Sequence, residues 1–407
     1  MKTEISLLLV GYNTGVLDAL DHAGVHGVVV VEEPDLWRNK GLATKAMSHP
    51  CLADVRLVTY QQSDGYVEVA RELAGQVRAV AAGLEYAVAA AAHLAELLEL
   101  PGAGVEAAAI LRDKIELRAA QRDSGLREIG YREVRTAADV EAFLAEHPAI
   151  VLKPANRQAS LGVHLLDRTS DVALAWRSCT EADEGRQVAE RPMRWRYIVE
   201  ERLPGREVSV ESLVDAGRVV WTNLTRKAIL PGPRPVETGH VVGFPPGQWP
   251  STMQRLVNTI GYWTGILHAE WMLDEHGAAL IECAGRPPGD HITELVDLAY
   301  GDNLLARWTR LLQGSSGNHA LAPQRGAAVS FVVPSEPGIV RTVAGVEEAR
   351  GLPGVHAVDV TAKVGDVVAD VASSWDRLGH VIAMGADPGE AESRAARAAQ
   401  AITIEIG

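Results

Sequence analysis

The stretch His268-Ala-Glu-Trp-Met-Leu-Asp-Glu-His-Gly-Ala-Ala-Leu-Ile-Glu-Cys-Ala-Gly-Arg286 decides how the chain is read. It has the form of two short strands joined by a tight turn, with Gly277 suited to the left-handed position of a three-residue hairpin loop. In that register Asp274 faces Ala278, and Glu270 falls directly opposite Glu282. Carboxylates directly opposed on one sheet face repel. A cation between them removes the repulsion, and hard divalent ions such as Mg²⁺ prefer carboxylate oxygen. The competing readings are a solvated hairpin face and a turn one residue longer, which would send the two side chains to opposite faces.

Arg286 follows Glu282 by four positions, in Gly285-Arg-Pro-Pro-Gly-Asp290. A planar guanidinium on a proline-stiffened loop beside a metal can hold a carboxylate or a developing phosphoryl charge; the alternative is a surface ion pair with Asp290. Upstream, Lys153 ends the apolar strand Ile150-Val-Leu-Lys-Pro154, where an ammonium needs an anion or water. The loop after it, Ala155-Asn-Arg-Gln-Ala-Ser-Leu-Gly162, can lay backbone N–H groups and the Ser160 hydroxyl over phosphate oxygens; a snorkelling lysine and an ordinary hairpin loop compete with that. In Val199-Glu-Glu-Arg-Leu-Pro-Gly-Arg-Glu207, two acids end a strand, Leu203 offers an apolar ring contact, and Glu207 starts the next strand. Such a connector suits a purine edge and a ribose, or else is an acidic surface hairpin.

With 407 residues the chain is long enough for two to four domains. Its net charge of −14 argues against nucleic-acid or anionic-membrane partners, since both need basic surface. Three widely spaced cysteines, Cys51, Cys179 and Cys283, fit a reduced cytoplasmic chain. The apolar run Ile5–Val10 is too short for a signal peptide and reads as a first strand; the Ala-rich stretch 86–99 reads as a packed helix.

The opening strand–helix–strand, Ile5–Gly11, Thr14–Ala23 and Gly27–Val31, predicts an open α/β layer. Ala79–Gly83 predicts a further strand ending at Glu85, and Ala107–Ser124 a helical stretch carrying Asp113-Lys114. A Pro/Gly-rich loop runs from Leu230 to Pro250, and 314–325 has the composition of a linker before a small α+β tail.

The order of these pieces, Asp113-Lys114, Lys153-Pro, Glu200 to Glu207, Glu270 and Glu282-x-x-x-Arg286, resembles the ATP-grasp superfamily, and most of all its L-amino acid ligases and related carboxylate–amine ligases. In the tail, Pro337-Gly338, Leu352-Pro-Gly-Val355, Gly379-His-Val-Ile382 and Gly385-Ala-Asp-Pro resemble the C-terminal domain of those ligases. The resemblance implies a multidomain α/β and α+β chain with the ATP-grasp fold: a Rossmann-like N-terminal domain over 1–103, a linker helix and lid subdomain over 104–200, a large subdomain with the metal site over 201–313, and a C-terminal α+β domain over 325–407. It implies ATP with Mg²⁺, or Mn²⁺ in its place, small-molecule carboxylate and amine substrates, an acyl-phosphate intermediate, and assembly as a homodimer, common in such ligases.

By that resemblance Lys114, Lys153, Ser160 and Gly162 meet the ATP phosphates; Glu200, Glu201 and Leu203 hold adenine and Glu207 the ribose; Glu270 and Glu282 bind the metal; and Arg286 stabilises the acyl phosphate and the tetrahedral intermediate. Glu237 and His240 line the acceptor pocket, Gly289 and Asp290 border the amino-acid site, and Glu85 is a candidate for a substrate ammonium. Two departures stand out. Ala284 replaces the Asn usual two residues after the second metal glutamate, and the phosphate loop has only Gly162. Rival readings are a carrier-bound or non-amino-acid acceptor, a biosynthetic carboxylase of the same superfamily, a non-catalytic nucleotide-binding module, and a dinucleotide-dependent oxidoreductase. The last is weakened because Val10-Gly-Tyr-Asn-Thr-Gly15 lacks the full Gly-x-Gly-x-x-Gly fingerprint.

Overall fold

A computed structural model describes residues 4–231, 235–315, 321–371 and 373–407. The fully buried run Val28–Glu32 sits inside a four-stranded parallel sheet, in the spatial order Leu52–Leu57, Val28–Glu32, Leu7–Val10, Val80–Ala82. Continuous Val and Leu is what a parallel strand covered on both faces requires. Helices Tyr66–Leu73 and Val88–Leu97 cover one face. On the other face Leu7 and Leu9 share a core with Leu213 and Ile266 of the large sheet and with Leu295 and Leu305 of two helices, Ile292–Tyr300 and Leu304–Leu312.

The lid is a four-stranded antiparallel sheet, ordered Tyr131–Val134, Tyr197–Glu201, Ala149–Pro154, His164–Asp167. Helices Ala137–Glu146 and Val172–Thr180 pack on it. A segment leaving the lid is fastened to the N-terminal sheet. Arg191 places its fork on the buried Glu33 carboxylate, with both contacts at 2.8 Å, and charge-assisted two-point pairing of this kind is strong.

The large sheet has eight strands, ordered Gly277–Ala284, Gly265–Asp274, Arg206–Asp215, Arg218–Ile229, Glu237–Val242, Gly326–Val332, Gly379–Gly385, Val355–Val360. Its last three strands come from the tail, so the expected break between 313 and 325 does not separate two sheets. Glu237–Val242 pairs with Gly326–Val332 from Gly239↔Ser330 to Val242↔Ala327 and carries the ladder across. A smaller sheet of Val367–Val368, Gly338–Ala344 and Thr403–Ile406 closes the C-terminal end. Of the expected linker, 316–320 lies outside the described residues.

Two other expectations change. The Pro/Gly-rich loop 230–250 contains the strand Glu237–Val242, because Arg218–Ile229 and Gly326–Val332 each present it with an open edge; its residues 232–234 lie outside the described set. The stretch Ala107–Ser124 is two helices, Val105–Leu111 and Lys114–Gln121. Asp113 takes an extended conformation and its side chain accepts from the Ile115 N–H at 2.9 Å, an N-cap that begins the second helix. This break sets Lys114 at a helix start and turns Arg112 toward Glu85.

All three cysteines are buried and unpaired. No helix among the described residues is long and apolar enough to cross a membrane. The packing under the large sheet centres on Trp271, fully buried beside Trp249 with ring centroids 5.6 Å apart. Trp271→Ala should destabilise the protein by about 3–5 kcal/mol. Trp271→Phe should cost much less, because the indole N–H has no hydrogen-bond partner among the described residues; thermal denaturation of both variants checks this.

Candidate active site

Between the lid sheet and the large sheet lies a cavity of about 600 Å³. On the lid side, Lys153 is next to last in the strand Ala149–Pro154, and its ammonium is 2.6 Å from Glu200. Arg118, from the helix Lys114–Gln121, reaches the other oxygen of Glu200 at 2.8 Å. Burial pushes the Lys153 ammonium below its ordinary range, and Arg118 and Lys114 push the same way against Glu200. Burial alone would raise Glu200, but Arg118 and Lys153 hold it below the usual carboxylate value. Two cations on one carboxylate leave a surplus positive charge facing the cavity, which suits an anion. Glu200 therefore differs from its expected place on adenine: both its oxygens face cations, and it anchors Lys153. Glu201 and Leu203 border the same cavity.

The loop after Lys153 has its own strain. Ala159 and Ser160 both take left-handed backbone, φ 58° and 56°, which non-glycine residues rarely do. A Cβ on Gly162 would lie 3.0 Å from the Cys179 carbonyl oxygen, and its φ is 73°, so glycine is required there. A glycine-poor loop that holds such angles fits a functional segment.

On the opposite wall the hairpin differs from its expected turn and keeps the expected outcome. The turn is one residue shorter, with Asp274 paired to Gly277. A bulge between Glu270 and Trp271 then restores the register, so Glu270 does face Glu282. The bulge falls at Ile281, whose carbonyl accepts from Arg118 at 2.7 Å. Both carboxylates open into the cavity, but each meets a different lysine. Lys114 is 3.1 Å from Glu282. Lys227 is 2.6 Å from Glu270, 2.6 Å from Glu207 and 3.6 Å from Glu237. These four side chains come from four neighbouring strands.

Burial alone would lower the Lys227 ammonium, yet the three carboxylates hold it well above its ordinary range. Glu270 is likewise held well below its usual value by Lys227 and His268 against burial, while burial keeps Glu207 above its own. Oxygens of Glu207, Glu237 and Glu270 all lie within 4.8 Å of one another. The Lys227 ammonium already occupies that set; Glu270, which meets it through one oxygen, and Glu282 opposite offer carboxylate oxygens of the kind Mg²⁺ or Mn²⁺ prefers. Across from Ala284 stands His268. Its imidazole is 2.9 Å from the buried Glu211 and 3.4 Å from Glu270, which raise it to about 9 against burial.

The cleft continues into a second cavity of about 290 Å³, which shares Ser160, Glu237, Glu270 and Glu282 with the first and adds Arg286, His240, Gly289 and Asp290. Arg286 donates from Nε to Glu85 at 2.7 Å and from one terminal nitrogen to the Pro287 carbonyl at 2.8 Å. Its other terminal nitrogen makes no hydrogen bond among the described residues. Glu85, expected on a substrate ammonium, instead holds Arg112 and Arg286 and so fixes the catalytic candidate. Arg286 does not pair with Asp290; Arg377 of the tail does, at 2.5 and 3.1 Å. His240 is 1% exposed, and neither ring nitrogen has a hydrogen bond among the described residues.

Sequence reading missed Arg112, Arg118, Lys227, His268 and Arg377. Lys227 alternates with Thr225 and Asn223 on one strand face, a polar run that does not name its acidic partners.

Burial would raise the Glu85 carboxyl, but Arg112, Arg286 and Lys114 pull it down from 4.5 to about 2. A carboxyl depressed in the folded state contributes stability above its unfolded value, and that stability is lost as pH falls toward the folded value. The contribution is on the order of 3 kcal/mol. Glu85→Gln should therefore melt well below the parent at pH 7, and the gap should narrow steadily as the pH falls from 4.5 toward 2, read by thermal denaturation at each pH.

The family model for the ATP-grasp domain matches residues 146–294, and that for L-amino acid ligase C-terminal domain 2 matches residues 330–407. An uncharacterised protein of Sinorhizobium fredii is 27% identical over 326 residues, a match that covers 75% of this chain and 64% of that protein's length. Dapdiamide A synthase of Enterobacter agglomerans is 24% identical over 329 residues, covering 77% of this chain and 76% of that one. The crystal structure of an L-amino acid ligase from Bacillus licheniformis has the same fold, with a TM-score of 0.78 over 100% of both chains at 18% identity. With an ATP-grasp domain in its middle, an L-amino acid ligase domain at its end and that fold throughout, the chain belongs to the ATP-grasp superfamily.

Proposed function

We propose that this protein is an ATP-dependent carboxylate–amine ligase that joins an amino acid, or a similar carboxylate, to an amine through an acyl phosphate and releases ADP and phosphate. One observation carries the reading. Lys114 and Lys153 line one cavity together with Glu207, Glu237, Glu270 and Glu282, and the cleft runs on to Arg286. The domain matches and the dapdiamide A synthase relative support the same reaction class.

In this reading Lys114 and Lys153 hold phosphate oxygens, with Ser160 and Gly162 in the loop above them. The backbone from Glu201 to Leu203 meets the purine edge, and Glu207 the ribose. Glu270 and Glu282 would hold Mg²⁺ or Mn²⁺, which supplies charge neutralisation for phosphoryl transfer when bound. Lys227 keeps Glu270 ionised and aimed at the cleft. The free nitrogen of Arg286 is set to hold the oxygen on which negative charge develops, and Glu85 and the Pro287 carbonyl keep it from turning away. Residues Glu237, His240, Gly289 and Asp290 shape the substrate end. No protein nucleophile is required, and among the described residues the buried, unpaired cysteines suit a reducing, cytoplasmic setting.

A phosphate-release screen with ATP, Mg²⁺ and pairs of amino acids, followed by mass analysis of products, tests the proposal. Glu282→Ala should lower ADP formation by roughly a thousandfold or more, with little change in melting temperature; near-normal turnover would contradict the metal assignment. Chelation of divalent ions should stop phosphate release, and added Mg²⁺ or Mn²⁺ should restore it.

A further inference from the structure

The tail sends a short turn into the substrate end of the cleft. It is the 3₁₀ helix Ser374–Asp376, opened by Ser373, whose N–H and hydroxyl both donate to Asp376, at 2.7 and 3.0 Å. Two anchors tie it to the pocket wall. The Ser374 hydroxyl donates to Glu237 at 2.9 Å. Arg377 grips Asp290 with both terminal nitrogens, donates from Nε to the Ser374 carbonyl at 2.7 Å, and lies 3.8 Å over the Phe331 ring. All three guanidinium nitrogens are therefore engaged, and so is the Ser374 hydroxyl.

Between the anchors stands Trp375. It lines the same cavity as Arg286 and His240, yet 48% of its surface is exposed. Trp221, Trp249, Trp271 and Trp308 are buried, whereas Trp263, which lines neither the first nor the second cavity, is exposed like Trp375. Ser374 and Arg377 are paired with the wall, and Ser373 and Asp376 with each other, so what the turn adds to the cavity lining is the Trp375 indole. Leu84, Pro287, Pro288 and Ile292 line that cavity with it. A large ring held out by an ion pair and a hydrogen bond gains its packing only when something apolar docks against it.

We propose that Trp375 is a specificity-determining wall of the substrate pocket, and that one of the two condensing substrates is an amino acid with a bulky apolar or aromatic side chain that packs on the indole. Arg377 is the positioning residue that holds the turn in place. This inference rests on the ligase reading and adds the substrate class to it.

The test compares kcat/KM for phosphate release, with ATP and Mg²⁺, for the parent, Trp375→Ala and Trp375→Phe, against pairs containing phenylalanine, leucine, glycine or alanine. The parent should favour the bulky residues. In Trp375→Ala the ratio of bulky to small should fall roughly ten- to a hundredfold, through KM more than kcat, and Trp375→Phe should recover most of it. Because Trp375 lies at the surface of a turn, both variants should melt with the parent. A ratio unchanged in Trp375→Ala, with the parent active, overturns this inference and leaves the ligase reading standing. A parent that binds ATP but releases no phosphate with any pair overturns the ligase reading and this inference with it.

Discussion

The site depends on a buried charge that must be neutralised in place. Lys227 has 1% of its side chain exposed, and an unpaired ammonium at such depth would be severely destabilising. Glu270, Glu207 and Glu237 are the neutralising groups, and each sits on a different strand beside or near that of Lys227. The row can form only if four strands keep one relative register. A slip of one residue in any of them would turn its charge to the opposite face and strand the others. The same row thus fixes the sheet and gathers the acids on the cleft. Packing beneath it, around Trp271 and Trp249, makes the register cooperative with the core.

The sequence made part of this legible. Glu270 and Glu282 could be placed opposite each other from alternation and a turn, and they are opposite, although by way of a shorter turn and a compensating bulge. The bulge was invisible because what favours it is remote: the Arg118 guanidinium, on a helix far back in the chain, takes the Ile281 carbonyl. Lys227 was missed for the same reason, since its neighbours in sequence say nothing of three acids from other strands. The strand Glu237–Val242 was read as loop because Pro and Gly surround it, and only the edges on either side make it a strand. Asp113 stands beside Lys114 in the sequence, but its capping role needs the local conformation that splits the helix. The order of motifs, by contrast, survives any local error, and it pointed to the superfamily that the domain matches establish.

Charge pairing also sets how the units around the cleft are held together. Lys153 and Lys114 each rest on a carboxylate, Glu200 and Glu282, which fixes where their ammonium groups lie in the cleft. Arg191 on Glu33 joins the unit of the four-stranded antiparallel sheet to the first sheet. The loop itself holds its shape through Ala159 and Ser160 in strained backbone. Preorganisation of this kind lowers the reorganisation needed during reaction.

The unbroken ladder between Glu237–Val242 and Gly326–Val332 bears on how such enzymes can be recombined. A chimera that takes the strands from Gly326 onward from another ATP-grasp chain would join two parents inside one sheet. The donor would have to match the host at the small residues Ala327 and Ala328, on which Val241 and Val242 lie. Exchange of the tail is therefore an exchange of three of the eight strands of one β-layer, and parents for it are best chosen by the fit of that seam.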